Sequence, residues 1–251
     1  MSNGVMAPLP KAEGTAKTLA KEARFGAAFF HKYRLRLLLL FMAVLLPLWG
    51  FAEIADELRE DEPFPFDDPI LLFAREMARD GFDTAFLLFS ALGYQWGVVP
   101  FDVLLILGLA LRRHAREGLF AGIALGGSAL LNLATKQLFA RDRPSLWESI
   151  APETTFSFPS GHAMGSMTLA WVCLLLAWRT PWRWPVILIA LTFTGFVGLS
   201  RIYLGVHYPS DILAGWAAAS VWAGCSFFLV FQHHRHPWQQ RSIPTPASVA
   251  R

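Results

Sequence analysis

Apolar residues along the chain collect into six runs, at 35–52, 84–111, 118–136, 162–178, 184–200 and 211–231, separated by polar and often charged stretches. A bilayer core is crossed by about 20 mostly apolar residues in a helix, so each run has the dimensions of a membrane span. The pattern predicts an all-α polytopic membrane protein with six transmembrane helices in a bundle. The second run is the longest and contains Pro100 and Asp102, so an interfacial turn is expected ahead of its spanning part. In the third, Gly122 and Gly126 stand four apart, a small-xxx-small surface that suits close helix packing.

Charges between the runs orient them, because cytoplasmic flanks are enriched in Lys and Arg. The flank 1–34 carries Lys11, Lys17, Lys21, Arg24, Lys32 and Arg34, with Arg36 just beyond, and is expected inside. Segment 53–83 holds eleven acidic residues against Arg59, Arg75 and Arg79, which makes it an outer loop. Its first part, interrupted by Pro63, Pro65 and Pro69, reads as a solvated loop and not a metal site. Arg112, Arg113 and Arg116 mark the next inner turn, Arg179 and Arg183 the one after, and Arg235, Arg241 and Arg251 the tail 232–251. Pro237, Pro244 and Pro246 predict that this tail is flexible. Trp178, Trp182 and Trp184 suit an aromatic belt at the inner interface. The membrane domain is thus expected over 35–231, multi-pass in a cell inner membrane with both termini cytoplasmic. The first run reads as an uncleaved helix, since the polar stretch before it is long for a signal peptide.

One segment breaks the charge rule. Lys136 and Arg143 fall on the outer side, so their charge is expected to serve a ligand.

Composition narrows the class. The chain is 54% hydrophobic and 16% charged, with a mean hydropathy of +0.39, outside the balance of a soluble domain. Its net charge of +3 is scattered through flanks and loops, which sets nucleic acid aside as a partner. The two cysteines, Cys173 and Cys225, each lie in an apolar run and read as small hydrophobes; no disulfide or zinc framework is legible.

The candidate chemistry lies at the outer ends of helices three to six. Lys136 and Arg143 follow the third helix, Ser160, Gly161 and His162 open the fourth, Arg201 closes the fifth, and His207 and Asp211 lead into the sixth. Singly these have ordinary readings: snorkelling cations, an N-cap serine, an Arg141–Asp142 pair. Jointly they suit a phosphate dianion, with two guanidinium forks, a lysine point charge and free N–H groups at a helix start. Asp211, four residues after His207, is close enough to accept one ring N–H and leave the other nitrogen free to attack. Pro209 disfavours a regular turn through Tyr208, so that contact is expected from a loop entering the sixth helix.

The three clusters, Lys-x6-Arg-Pro at 136–144, Pro-Ser-Gly-His at 159–162 and Ser-Arg-x5-His-x3-Asp at 200–211, resemble the phosphatidic acid phosphatase type 2 family without a departure. The resemblance spans 136–211, and the six-helix organisation extends it. It implies that His207 attacks phosphorus, Asp211 orients it, and His162 protonates the leaving oxygen. Lys136, Arg143, Arg201, Ser160 and Gly161 would hold the phosphoryl group, with no metal and no other cofactor. The implied substrate is a membrane lipid phosphate, hydrolysed through a phosphohistidine. The family spans undecaprenyl diphosphate, phosphatidylglycerophosphate, phosphatidic acid and lipid A phosphates. Segments 145–158 and 53–83 could discriminate among them but carry no readable code, and no protein partner is evident. Two alternatives remain at this level: a phosphotransferase passing the phosphate from His207 to a lipid or sugar hydroxyl, and a non-enzymatic transporter or scaffold that would tolerate loss of His207. A vanadate-dependent haloperoxidase shares the motif logic, but its resemblance is to soluble proteins, which the six apolar runs disfavour.

Overall fold

A computed structural model describes residues 34, 38, 41–60, 63–231 and 236–238. The chain divides into two units, Met1–Met42 and Ala43–Arg251. In the first, the described residues Arg34, Leu38, Phe41 and Met42 are helical. Most flank and tail charges used above to orient the chain, from Lys11 to Lys32, Arg36, Arg235, Arg241 and Arg251, lie outside the described residues.

The described part of the second unit is helical, without a strand. Its helices are α1 (Leu46–Arg59), α2 (Asp67–Glu76), α3 (Asp80–Leu92), α4 (Val98–Leu111), α5 (Ala115–Phe139), α6 (Gly161–Ala177), α7 (Arg183–Tyr203) and α8 (Pro209–Val230). Among them α5, α7 and α8 are long and apolar enough to cross a membrane, whereas α4, α6 and Gly81–Leu92 of α3 are apolar but shorter. Leu104, Leu130, Leu188 and Phe228 each expose two thirds or more of their surface. Apolar area on this scale over several helices is the surface of a membrane protein.

Helix α6 is the centre of the bundle and packs against α4, α5, α7 and α8. Its closest partner is α8, which turns Ala214, Gly215, Ala218, Ala219 and Ala223 inward, all buried. Small side chains let two backbones approach where hydrocarbon gives no hydrophobic drive for association. A Cβ at Gly215 would stand 3.0 Å from the Ser160 carbonyl oxygen and 3.2 Å from the Met164 nitrogen. The glycine therefore lets the first turns of α6 and α8 meet. Away from that end, Leu109, Phe120, Ala121, Ala124, Leu125, Val172, Leu176 and Phe231 form a separate apolar core.

Three expectations change, and the turn expected in the second apolar run takes its place: the chain breaks over 93–97, and α3 packs on α7 while α4 packs on α5. Pro100 is then the third residue of α4, where its missing N–H has no intrahelical partner to lose. Segment 53–83 is largely helical, since α1 runs to Arg59 and α2 and the start of α3 occupy most of the rest of its described length. Gly122 and Gly126 face open space; the close approach on α5 is at Gly127, over the Trp222 indole of α8. In the tail, Trp238 is docked: its backbone N–H donates to Glu117 Oε1 at 2.6 Å and its indole N–H to the Leu176 carbonyl at 2.8 Å.

Candidate active site

The site is assembled by two connections at one end of the bundle. After Phe139 the chain reverses at Ala140, which has the left-handed φ of 45°, and makes a loop that returns to the same helix end. Ser157 closes it, its N–H donating to the Arg141 carbonyl at 2.9 Å and its hydroxyl to the Asp142 carbonyl at 3.0 Å. Phe158 is fully buried, with its ring 4.9 Å from that of Phe139, and Asn132 Nδ2 donates to the Pro159 carbonyl at 3.1 Å. Ser160 is the N-cap of α6: its hydroxyl accepts from Ala163 N at 3.4 Å, and its own N–H donates to the Asp211 carbonyl at 3.1 Å. The next N–H groups, of Gly161 and His162, begin the helix and have no intrahelical acceptor.

The second connection joins α7 to α8. Arg201 lies in the last turn of α7 and is 1% exposed. Gly205 supplies a φ of 67°, with the Trp147 ring where a Cβ would sit, so a side chain there is doubly excluded. His207 and Tyr208 follow in the approach to α8, whose first residue is Pro209. Asp211 is at the third position and accepts the Tyr208 N–H at 3.0 Å, one half of a capping box.

His207 Nδ1 lies 3.2 Å from Asp211 Oδ2, both groups buried. On its other side, Nε2 is 3.1 Å from Arg143 Nη1. A guanidinium only donates, so Nε2 must be the accepting nitrogen and Nδ1 carries the proton toward Asp211. This is the tautomer in which Nε2 holds a lone pair. Burial first, then the charges of Arg201 and Arg143, keep the pKa of His207 well below the ordinary histidine value of 6.5. The ring is therefore neutral.

Facing Nε2 is a residue that the sequence did not single out. The Glu153 carboxylate bonds Arg201 Nη2 through Oε1 and lies 2.6 Å from Arg143 Nη2 through Oε2. The same two oxygens stand 3.9 Å from His162 Nδ1 and 4.0 Å from His207 Nε2. Lys136 completes the surround, donating to Thr155 Oγ1 at 3.4 Å and to the Phe156 carbonyl. Burial alone would raise the Glu153 carboxyl; the cations around it, Arg201 foremost, outweigh that and hold it below the ordinary carboxylate value. The His162 ring is also in contact with Tyr94 of the α3–α4 turn, at 5.1 Å between ring centres.

The structure thus gathers Lys136, Arg143, His162, Arg201, His207 and Asp211 at one place, with Ser160 and Gly161 forming the adjoining helix start. Arg141 does not pair with Asp142. It donates through Nη1 to Asp211 Oδ1 at 2.6 Å and through Nη2 to Asp67 Oδ2 at 2.9 Å. Asp67, expected in a solvated loop, is 3% exposed. Nothing local distinguishes Glu153 from Glu148, or Asp67 from Asp68; each partner is fixed by tertiary placement alone.

The family model of the PAP2 superfamily matches residues 117–235, which contain every site residue from Lys136 to Asp211. Phosphatidylglycerophosphatase B of Bacillus subtilis is 32% identical over 144 residues, 55% of this chain and 68% of that protein. Undecaprenyl-diphosphatase of Sulfolobus acidocaldarius is 31% identical over 136 residues, 52% of this chain and 62% of that protein. A crystal structure of the transmembrane PAP2-type phosphatidylglycerolphosphate phosphatase from Bacillus subtilis superposes with a TM-score of 0.62 at 26% identity, covering 73% of this chain and 93% of that one.

Proposed function

Since the chain belongs to the PAP2 superfamily, we propose that it is an integral membrane phosphatase that hydrolyses a phosphomonoester or diphosphate of a membrane lipid through a phosphohistidine on His207. The observation that carries the reading is the seat of Glu153. An anion held between two guanidiniums, with two imidazoles at about 4 Å, marks the space a phosphoryl group fits.

Phosphoryl transfer asks for positioning and charge stabilisation more than for covalent help. When the substrate displaces Glu153, Arg143 turns from the His207 lone pair to the phosphoryl oxygens. His162 takes up a proton as the phosphate dianion replaces Glu153; Nε2 then attacks phosphorus as the bond to the leaving oxygen breaks, and His162 gives that oxygen its proton. Asp211 holds the Nδ1–H and balances the positive charge the ring acquires. Water attacks the phosphohistidine next, with His162 taking its proton; the N–P bond breaks and inorganic phosphate leaves. Arg143, Arg201 and Lys136, with the free N–H groups at the start of α6, stabilise the oxygens in both transition states. These cations supply the charge that magnesium gives in other phosphoryl transfers, so the chemistry is metal-independent.

Around Glu153 the charges also match the task. Four cations, Lys136, Arg141, Arg143 and Arg201, share three carboxylates, Asp67, Glu153 and Asp211. Leaving the imidazoles aside, withdrawal of Glu153 leaves two positive charges for a phosphate dianion.

A lipid substrate is supported by position. Lys136 and Arg201 close, and Asp211 opens, the three long apolar helices, so the site is at headgroup depth. Both curated relatives described above are named for phosphates of lipid carriers or phospholipids. We read the chain as six crossings with both termini inside and the site facing the periplasm, the substrate being undecaprenyl diphosphate, phosphatidylglycerophosphate or phosphatidic acid. Purified protein in detergent with EDTA is expected to release phosphate from at least one of the three, and His207→Ala to lower that release roughly 10³-fold or more. Full activity of the variant refutes the nucleophile; loss of activity in EDTA refutes metal-independence.

A further inference from the structure

Behind the groups that face the phosphoryl site stands a second layer that the specified positions of the three motifs do not include. Asp211 is fully buried, and a buried carboxylate is tolerated where charge and hydrogen bonds compensate it. Its partner His207 is neutral and brings no charge. Arg141 does, at 2.6 Å from Oδ1, with its own side chain only 13% exposed. The guanidinium is held as well as placed: its carbon lies 4.0 Å from the centre of the Tyr208 ring, Nη1 also donates to Ser210 Oγ at 2.8 Å, and Nη2 is committed to Asp67. Asp67 in turn accepts the Ser210 backbone N–H at 2.9 Å and the Ser210 hydroxyl at 2.5 Å, from 143 residues away in the chain. A carboxylate on α2 thereby caps the start of α8, the turn that aims Asp211 at His207.

We propose that Asp67 and Arg141 are positioning residues for the nucleophile, a carboxylate–guanidinium relay that fixes Asp211 and through it the orientation and tautomer of His207. The relay rests on the reading of His207 as the attacking group. Neither residue touches the phosphoryl group, so their loss acts on the chemical step and not on binding. Arginine is required because one planar fork spans two carboxylates on different helices; a lysine offers a point charge and cannot hold both in register. Asparagine at 67 keeps an acceptor for Ser210 but removes the charge that pins Arg141.

The experiment compares Asp67→Asn, Arg141→Lys, Arg141→Gln, the double variant Asp67→Asn/Arg141→Gln and His207→Ala, using phosphatidic acid in mixed micelles and recording kcat, KM and Tm. Misplacement of a reacting group by about 1 Å can cost ~10²-fold, so kcat is expected to fall roughly 10- to 100-fold in both single charge-removing variants with KM held within about threefold. The double variant is expected to be no slower than Arg141→Gln, as members of one relay are not additive. Arg141→Lys should recover only part of the rate. If the single variants keep wild-type kcat, or raise KM with kcat unchanged, while His207→Ala is dead, the relay is wrong and the phosphatase reading stands. If His207→Ala is active, the reading itself has failed and the relay with it. Should Arg141→Gln not fold, Asp67→Asn and Arg141→Lys decide on the same kcat criterion.

Discussion

Glu153 occupies the seat assigned to the substrate, and it is ionised throughout the neutral range because its pKa is held below the ordinary carboxylate value. A charged resident competes with every incoming phosphate. Glu153→Gln keeps the shape and removes the charge, so KM for phosphatidic acid is expected to fall about 3- to 10-fold with kcat little changed, the worth of one weakened charge-assisted contact. An unchanged or higher KM would show that Glu153 is not a competitor. At this scale the sequence exposed the residues whose chemistry is costly to place without reason: two histidines and three cations at helix ends, with a carboxylate four residues from one histidine. It hid Glu153, Asp67 and the true partners of Arg141. Asp67 lies in a stretch already rich in acid and Glu153 in a loop that offers Glu148 as an equal candidate, and their roles come from contacts as distant as 143 residues.

Among the elements, the contact between the starts of α6 and α8 sets the geometry of the site. Ser160 N–H reaches the Asp211 carbonyl across it, and Gly215 makes room for it. Gly215→Val is expected to cost about 1–3 kcal/mol, as overpacking does. It should lower Tm in detergent and, by parting Ser160 from Asp211, reduce kcat more than KM. A variant with wild-type Tm and kcat would mean that this approach is not needed. The apolar runs announced α5 to α8 because each is one continuous segment near span length. In the second run Pro100 and Asp102 announced a turn ahead of the spanning part, but not its place at 93–97 nor the packing of the two halves onto different neighbours, since both halves are apolar. Helix α2 was lost in its acidic surroundings: ten residues that open on Asp67 and Asp68 read as loop until the first of them is seen to be buried.

On the scale of the whole molecule, the cations that broke the charge rule for membrane flanks, Lys136 and Arg143, are drawn into a cluster with Arg201 and Glu153 at one end of the helical bundle. On the proposed orientation, their exception in the sequence and their convergence in the fold have the same physical reason: positive charge concentrated at one place requires an anion. The decisive event is the bonding of that anion's phosphorus to His207. The direct measurement is rapid quenching of the protein with a lipid phosphate carrying ³²P in its terminal group, followed by peptide mapping. The expected result is label that is stable in alkali, labile in acid and confined to the peptide containing His207, absent from His207→Ala and, with a diphosphate whose leaving group needs no acid, accumulating in His162→Ala, where the second step lacks its base. Phosphate release at wild-type rate with no label on the protein, or label on another residue, would contradict it.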